Sequence, residues 1–280
     1  MAHNFTLVDV FGIEAFSGNP LAVVHDADDL DTEEMLRITR WLNFSETTFL
    51  LRPTVSEADY RVRIFTPERE LPFAGHPTLG TCHAWLAARV NPPGRSTIVQ
   101  ECGAGLVPVA RRDSGLAFAA PPLIRSGPLD EPKIAETLSV LRIPRDTVVD
   151  IAWADNGPGW VAVLLRSADA VLALEPERWH ASRVDIGVVG PYPEGRPAAF
   201  ELRAFFSDHL GTIREDPVTG SLNASVAQWL LGTGRAQAPY MASQGTALGR
   251  QGRIEITRDD EGEIWVGGQA RTLVGGQGDF

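Results

Sequence analysis

Two stretches of the sequence share one pattern of residues at a separation of half the chain. Residues 63–81 and 203–221 align at an offset of 140 (203 − 63) in a chain of 280 residues. A repeat of this length predicts two similar domains rather than an array of short units. His76 in the first copy stands where Asp216 stands in the second. Because the matched position holds a different ionisable side chain in each half, the repeat predicts one proton-moving site to which both halves contribute.

Two more blocks recur in the same order, which favours duplication over chance similarity between two α/β segments. Residues 22–24 match 162–164 at the offset of 140, and the alternating pattern of 105–115 returns in 252–262 at an offset of 147 (252 − 105). Identity between the halves is low, so chance similarity is the alternative. Each half is long enough to form a core of its own.

The composition narrows the classes of partner. With 25 Lys and Arg against 36 Asp and Glu, the net charge is −11 and no basic run is present, which disfavours nucleic-acid binding. No apolar stretch approaches the roughly 20 residues that span a bilayer, and we expect no secretory leader. The two cysteines, Cys82 and Cys102, are too few for a disulfide framework or a thiolate zinc site, which predicts a reducing, cytoplasmic setting.

The segments that follow the two main copies, 78–90 and 222–231, are apolar or small on almost every side. A helix without a polar face must be surrounded by other elements, and short alternating segments around both predict strands. We therefore predict an α/β (α+β) fold of two pseudo-symmetric domains, each a curled, mostly antiparallel, barrel-like sheet around a central buried helix. The Pro-rich stretch 120–132 predicts the crossing between them, with domains at 1–122 and 123–265.

The two predicted central helices begin next to chemically active residues. His76 and Asp216 lie just before them, and Gly75 and Gly220 allow a ligand to approach the backbone closely. The N–H groups at a helix N-terminus favour a bound anion, so we expect a carboxylate substrate, with the hydroxyl of Ser221 as a further donor. The alternative is that Asp216 and Ser221 only cap a helix, although His is a poor cap.

Glu46 is the third candidate for acid/base chemistry. It stands in Ser45-Glu46-Thr47, at a predicted helix-to-strand junction beside an apolar run. Partial burial there is expected to raise the pKa of a carboxyl towards the range of a general acid or base. The alternative is a solvated glutamate in a loop. Glu70, within the first copy of the repeat, is another candidate, for which a surface or structural role is favoured.

Several motifs of cofactor and nucleophile chemistry are missing from the sequence. It has no glycine-rich dinucleotide loop and no phosphate-binding loop. It has no nucleophile elbow, and no His and carboxylate cluster at metal-ligand spacing. We therefore predict a reaction without cofactor or metal that uses Glu, His and Asp as acid/base groups.

Four long motifs occur in order over the whole chain. They are 16–24 (Phe-Ser-Gly-Asn-Pro-Leu-Ala-Val-Val), 45–47 (Ser-Glu-Thr), 70–81 (Glu-Leu-Pro-Phe-Ala-Gly-His-Pro-Thr-Leu-Gly-Thr) and 215–221 (Glu-Asp-Pro-Val-Thr-Gly-Ser). Together they resemble the phenazine-biosynthesis isomerase (PhzF) family. The resemblance implies a fold similar to diaminopimelate epimerase, a tail at 266–280 that packs with the N-terminal domain, and a homodimer.

The resemblance also implies roles for individual residues. Glu46 resembles the catalytic acid/base of the family, whereas His76, Asp216 and Ser221 resemble residues that hold and polarise the substrate and assist proton movement. The related epimerases use two cysteines as their acid/base pair. This chain has His76 and Asp216 at the helix starts and Cys82 deeper in a helix, so a two-thiol mechanism is disfavoured. The implied reaction is isomerisation of trans-2,3-dihydro-3-hydroxyanthranilate or a similar small carboxylic acid.

The resulting hypothesis gives each candidate one task. Glu46 removes a proton from a carbon next to an extended π system, and the same carboxyl returns it at a remote carbon. His76 and Asp216 fix the polar substituents, and N–H groups near Gly220 and Ser221 bind the carboxylate. An amino-acid epimerase or racemase is the enzymatic alternative. A non-catalytic metabolite-binding protein is the alternative from another class.

Overall fold

The computed structural model describes residues 2–89 and 94–279. Val90, which ends the first predicted central helix, and Phe280, which ends the predicted tail, lie outside these ranges. No helix within the described ranges is long and apolar enough to cross a lipid bilayer.

The chain divides into two compact units. Unit 1 consists of Met1–Ala119 and Gly267–Phe280, and unit 2 consists of Ala120–Val266. The prediction placed the first boundary after residue 122, whereas unit 1 ends its first segment at Ala119. The C-terminal segment belongs to unit 1.

The helices and strands are numbered in chain order. They are β1 Ala2–Val10, β2 Asn19–Val24, α1 Thr32–Leu42, β3 Thr47–Leu51, β4 Tyr60–Phe65, β5 Glu70–Leu71, α2 Gly75–Ala87, β6 Thr97–Cys102, β7 Gly105–Arg112, β8 Gly115–Ala119, β9 Arg125–Gly127, α3 Glu131–Leu141, β10 Val148–Asp155, β11 Val161–Leu165, α4 Ala168–Leu172, β12 Asp185–Pro191, β13 Phe200–Ser207, β14 Ile213–Asp216, α5 Gly220–Gly232, β15 Tyr240–Gln244, β16 Gly252–Arg258, β17 Ile264–Gly268 and β18 Ala270–Asp279.

Unit 1 is a curled sheet around helix α2. β1 pairs with both β18 and β2, β2 runs parallel to β3, and β4 runs parallel to β6. The pairs β3–β4, β4–β5, β6–β7 and β7–β8 are antiparallel. Ten of the thirteen residues of α2 are buried. Gly80 permits this close packing, because a Cβ at that position would lie 2.5 Å from Cδ2 of Leu21.

Unit 2 repeats this succession of pairings around helix α5. The parallel pairs β11–β12 and β13–β15 correspond to β2–β3 and β4–β6, and the antiparallel pairs β12–β13, β13–β14 and β15–β16 follow in the same order. Nine of the thirteen residues of α5 are buried. The predicted α/β class, rich in strands and with few helices, is confirmed.

The repeated arginine at the start of each main copy makes the same contacts in both units. Arg63 donates to both carboxylate oxygens of Glu70, and Arg203 donates to both oxygens of Glu215. Each guanidinium also lies over the phenylalanine two residues further on, at 5.0 and 4.9 Å from the ring centre. Bidentate pairs of this kind fix geometry as well as charge. Since Asp216 follows Glu215 directly, the second pair holds the strand that ends in a candidate site residue.

Both central helices begin earlier than predicted. α2 starts at Gly75 rather than at residue 78, and α5 starts at Gly220 rather than at residue 222. Pro77 is accommodated in the first turn of α2, because an N–H at that point has no partner within the helix. His76 therefore lies inside the first turn. The N-cap residue of α5 is Thr219, so simple capping does not account for Asp216 or Ser221.

Candidate active site

Glu46 and His76 lie side by side in unit 1. Glu46 immediately precedes β3, and His76 belongs to the first turn of α2, which packs against that strand. Oε2 of Glu46 is 3.4 Å from Nε2 of His76, and the two side chains are only 16% and 4% exposed. Shielding from water strengthens the coupling between their protonation states. Catalytic hydrogen bonds often tighten only when substrate binds, so this separation suits an acid/base pair.

The imidazole of His76 is neutral and its protonated nitrogen can be assigned. Burial lowers the pKa of His76 to about 3. Nδ2 of Asn19 lies 3.4 Å from Nδ1 of His76. An amide nitrogen only donates, so Nδ1 is the accepting atom and we assign the ring proton to Nε2. The Nε2–H group therefore faces the carboxyl of Glu46.

A buried carboxylate holds the turn that carries Asn19. Asp9 accepts hydrogen bonds from the backbone N–H groups of Ser17 at 3.0 Å and Gly18 at 2.8 Å. Gly18 has no room for a side chain, since a Cβ there would lie 2.1 Å from the carbonyl oxygen of Val10. These contacts fix Asn19 at the start of β2, against the imidazole.

Asp216 lies in unit 2, at the end of β14, within a polar cluster. Its Oδ2 accepts a hydrogen bond from Oγ1 of Thr219 at 2.6 Å. Nε2 of Gln244 donates to the carbonyl oxygen of Asp216 at 3.2 Å and to Oγ1 of Thr219 at 3.0 Å. Oε1 of Gln244 accepts from Nδ2 of Asn223 at 2.8 Å. Gln244 is completely buried, so the carboxyl of Asp216 stands on a rigid support.

Gly75, Gly220 and Ser221 occupy the first turns of the two central helices. Gly75 and Gly220 are the first residues of α2 and α5, and both are buried. The first N–H groups of a helix have no partner inside it, which suits each turn to an anionic ligand. Ser221 follows Gly220 and is half-buried. Its Oγ accepts a hydrogen bond from Nε1 of Trp160 at 3.2 Å.

The two cysteines are poor candidates for acid/base groups. Cys82 is buried within α2, and burial raises the pKa of its thiol to about 12. Burial also raises the pKa of Cys102 at the end of β6. A thiol with a raised pKa supplies little thiolate at neutral pH. In the described part of the chain, no group of three or more His, Cys, Asp or Glu side chains is arranged to hold a metal ion.

Sequence reasoning missed several supporting residues. Asn19 lies within the motif 16–24 and Trp160 lies just before the matched block 162–164, but neither position was assigned a role from the sequence. Gln100 and Gln244 stand in the matched strands β6 and β15. Gln100 donates to Oγ1 of Thr78 at 3.0 Å, as Gln244 donates in unit 2. No local sequence pattern indicated that either glutamine supports the site.

The sequence matches the family model described as phenazine biosynthesis-like protein (PhzC-PhzF) over residues 8–277. The chain is 36% identical to "Antisense-enhancing sequence 1" of Schizosaccharomyces pombe, over 98% of each chain. It is 35% identical to the trans-2,3-dihydro-3-hydroxyanthranilate isomerase of Pseudomonas aeruginosa, over 93% of this chain and 92% of that protein.

The fold is shared with a solved structure of the same description. The Bacillus anthracis phenazine biosynthesis protein of the PhzF family superposes with a TM-score of 0.82 at 24% identity, and the similarity covers 100% of both chains. This likeness agrees with the fold predicted from the duplicated sequence.

Proposed function

The chain belongs to the phenazine biosynthesis-like (PhzC-PhzF) family and is an isomerase, and from that premise we propose the chemistry of its reaction. It moves a proton by general acid/base catalysis on a small carboxylic acid similar to trans-2,3-dihydro-3-hydroxyanthranilate. The observation that carries the proposal is the contact between the half-buried Glu46 and the buried His76, 3.4 Å apart. Their geometry supports an acid/base centre supplied by the protein's own side chains.

Glu46 is the proton carrier in this proposal. Its carboxylate takes a proton from a carbon next to the extended π system, and the electrons of that C–H bond enter the π system. A double bond moves, and the same carboxyl returns the proton at a remote carbon, so no atom is gained or lost. The Nε2–H group of the neutral His76 faces this carboxylate at 3.4 Å, and it donates to Glu46 when substrate binding tightens the contact.

The proposal assigns Asp216 to the same substrate because it occupies the position matched to His76 and lies in the Glu-Asp-Pro-Val-Thr-Gly-Ser motif. The hydroxyl of Thr219 at 2.6 Å supports a fixed orientation of its carboxyl, suited to an amino or hydroxyl substituent of the substrate. The backbone N–H groups of Gly220 and Ser221 are assigned to the substrate's carboxylate, and Gly75 is assigned to substrate binding beside His76.

One experiment tests the reaction class. The protein is incubated with trans-2,3-dihydro-3-hydroxyanthranilate in deuterated solvent, and the product is followed by NMR. A moved double bond, with a proton transferred or exchanged at the remote carbon, supports the isomerase. Retained connectivity with inverted configuration would instead support the epimerase alternative. A ligand-dependent rise in melting temperature without turnover over a panel of small carboxylic acids would support a metabolite-binding protein.

We also propose that the chain acts as a cytoplasmic homodimer. The two free cysteines are consistent with a reducing compartment. Strand β18 supports the dimer, because it pairs with β1 and most of its residues are exposed. An exposed strand is a template for pairing with another strand. Arg271 and Asp279 stand near its two ends, so two copies paired antiparallel about Gly275 place each Arg271 opposite an Asp279.

A further inference from the structure

The hydroxyl oxygen of Ser221 accepts one hydrogen bond, and the hydroxyl proton remains available for donation. Nε1 of Trp160 lies 3.2 Å from Oγ of Ser221. An indole N–H only donates, so one lone pair of the serine oxygen is occupied. Among the described residues, no acceptor takes the serine proton. Trp160 is 3% exposed, whereas Ser221 is half-buried and within reach of a ligand.

The matched hydroxyl in unit 1 is used in the opposite way. Thr81 aligns with Ser221 in the sequence repeat, but it is completely buried. Its Oγ1 donates to Oγ1 of Thr48 at 2.8 Å. The proton of Thr81 is therefore committed inside the core of unit 1. The duplicated position thus retains a hydroxyl in both halves, and only Ser221 has its proton free to donate.

The turn that carries Trp160 is tied to the first turn of α5 by a second contact. Nδ2 of Asn156 donates to the carbonyl oxygen of Ser221 at 2.9 Å. Oδ1 of Asp155 accepts from the N–H groups of Gly157 at 2.8 Å and Gly159 at 2.7 Å, which closes the turn. The loop between β10 and β11 thus holds both the backbone and the hydroxyl oxygen of Ser221.

We propose that Trp160 is a positioning residue that sets the hydroxyl of Ser221 as a donor to the substrate's carboxylate. With the indole N–H on one lone pair, the O–H bond is directed away from the indole, towards the side on which Ser221 is exposed. Asn156 prevents the first turn of α5 from shifting when the ligand binds. The inference rests on the proposed function for the identity of the ligand, but the contact between Trp160 and Ser221 is independent of it.

The test is a double-mutant cycle of Trp160→Phe and Ser221→Ala, with Trp229→Phe as the matched control. Trp229 is also buried and lies towards the end of α5 in the same unit. The probe is 3-hydroxyanthranilate, which carries the carboxylate, amino and hydroxyl groups of the proposed substrate, and its Kd is measured by calorimetry. We expect W160F to raise the Kd about 3- to 10-fold, the usual effect of one hydrogen bond. In the S221A background the same change is expected to have less than about a twofold effect.

A second readout follows the contact itself. The indole resonance of Trp160, assigned by its loss in W160F, is recorded by ¹H–¹⁵N NMR in the wild type and in S221A. Loss of the hydrogen bond is expected to shift this resonance in S221A and to leave that of Trp229 in place. Equal effects of W160F in both backgrounds, or an unchanged Trp160 resonance in S221A, would overturn the proposal.

The two readouts also separate this inference from the proposed function. If the wild type does not bind the probe and does not turn over trans-2,3-dihydro-3-hydroxyanthranilate, the proposed function fails. The resonance of Trp160 in S221A still decides whether the indole holds the serine hydroxyl. Melting temperatures of the wild type and the four variants show whether any loss of binding comes from loss of fold.

Discussion

Oε2 of Glu46 lies 3.4 Å from Nε2 of His76, and the two side chains come from separate elements of one curled sheet and its central helix. Neither residue alone identifies a catalytic site. Their contact requires that the junction before β3 and the first turn of α2 meet inside unit 1. The neutral imidazole then presents a hydrogen-bond donor to a carboxyl shielded from water, which is the arrangement that a proton-carrying glutamate needs.

The first prediction concerns the carboxyl of Glu46. Glu46→Gln removes the proton acceptor and keeps the shape of the side chain. General acid/base steps contribute about 10²- to 10⁴-fold, so we expect kcat for trans-2,3-dihydro-3-hydroxyanthranilate to fall by about that factor with KM within a few-fold. Glu33→Gln, at an exposed position of α1 in the same unit, is the control. A turnover near that of the wild type in E46Q would remove Glu46 from the central role.

The second prediction concerns the pH dependence of stability. The pKa of His76 is about 3 in the folded protein against an ordinary value of 6.5. Between these values the unfolded chain binds more protons, so acid favours unfolding. The contribution of His76 is complete above about pH 6.5 and is lost as the pH falls towards 3, at a slope of at most about 1.4 kcal/mol per pH unit.

Urea unfolding at several pH values between 4 and 8 measures this slope. We expect His76→Gln to have a shallower dependence than the wild type. His209→Gln, at an exposed histidine of unit 2, is the matched control for the substitution itself. If the wild type and H76Q lose stability equally on acidification, the histidine is not held neutral by burial.

The third prediction concerns the side chain that fixes the ring proton of His76. Asn19→Asp replaces the donor to Nδ1 with a carboxylate that accepts a proton, which favours the other tautomer. Nε2 then loses its proton and presents no donor to Glu46 when substrate binding tightens the contact between them. We expect kcat to fall about tenfold or more, in line with the loss of a hydrogen bond to a charged group.

The tautomer of His76 can be measured directly in this variant. In ¹⁵N NMR spectra the protonated ring nitrogen is expected to change from Nε2 in the wild type to Nδ1 in N19D. Asn4→Asp, at an exposed position of β1, controls for the added charge. An unchanged tautomer together with reduced activity would show that Asn19 acts by another route.

The sequence was sufficient to predict the features that rest on periodicity and repetition. The buried helices α2 and α5 follow from runs without a polar face, and the repeat predicts that the two units share one succession of strands. Glu46 and His76 were identified by their motifs. The sequence did not predict that these two residues touch, because 30 residues (76 − 46) of strand and turn separate them and packing decides the distance.

The supporting residues illustrate the same limit. Gln244 lies 28 residues from Asp216 (244 − 216). The two residues meet because β14, which ends at Asp216, and β15, which ends at Gln244, both pair with β13. Trp160 lies 61 residues from the serine that it holds. Such contacts depend on strand register, because a slip of one residue would turn every side chain of a strand to the opposite face of the sheet. The predicted start of α2 was wrong for a local reason. Pro77 was placed before the helix, although proline is tolerated in the first turn of a helix.

The last prediction concerns the proposed pairing of β18 between two copies of the chain. In an antiparallel pair centred on Gly275, Arg271 of one copy faces Asp279 of the other, and the two-fold axis produces this ion pair twice. Opposite charges on facing strand positions are stabilising and like charges are destabilising. Arg271→Asp therefore places two pairs of like charges in the interface, and we expect the dimer dissociation constant to rise by about tenfold.

Sedimentation equilibrium at low and high salt measures this change, because screening weakens exposed charge pairs. The double variant R271D/D279R restores opposite charges with their positions exchanged, and we expect it to dimerise like the wild type. Arg37→Asp, a charge reversal in α1, is the control for net charge. A wild type that is monomeric at 50 μM would show that β18 does not form the proposed dimer. A double variant that dimerises as weakly as R271D would contradict the proposal as well. In a pairing centred on Gly275, positions 271 and 279 face each other, so exchanging their charges keeps each pair attractive.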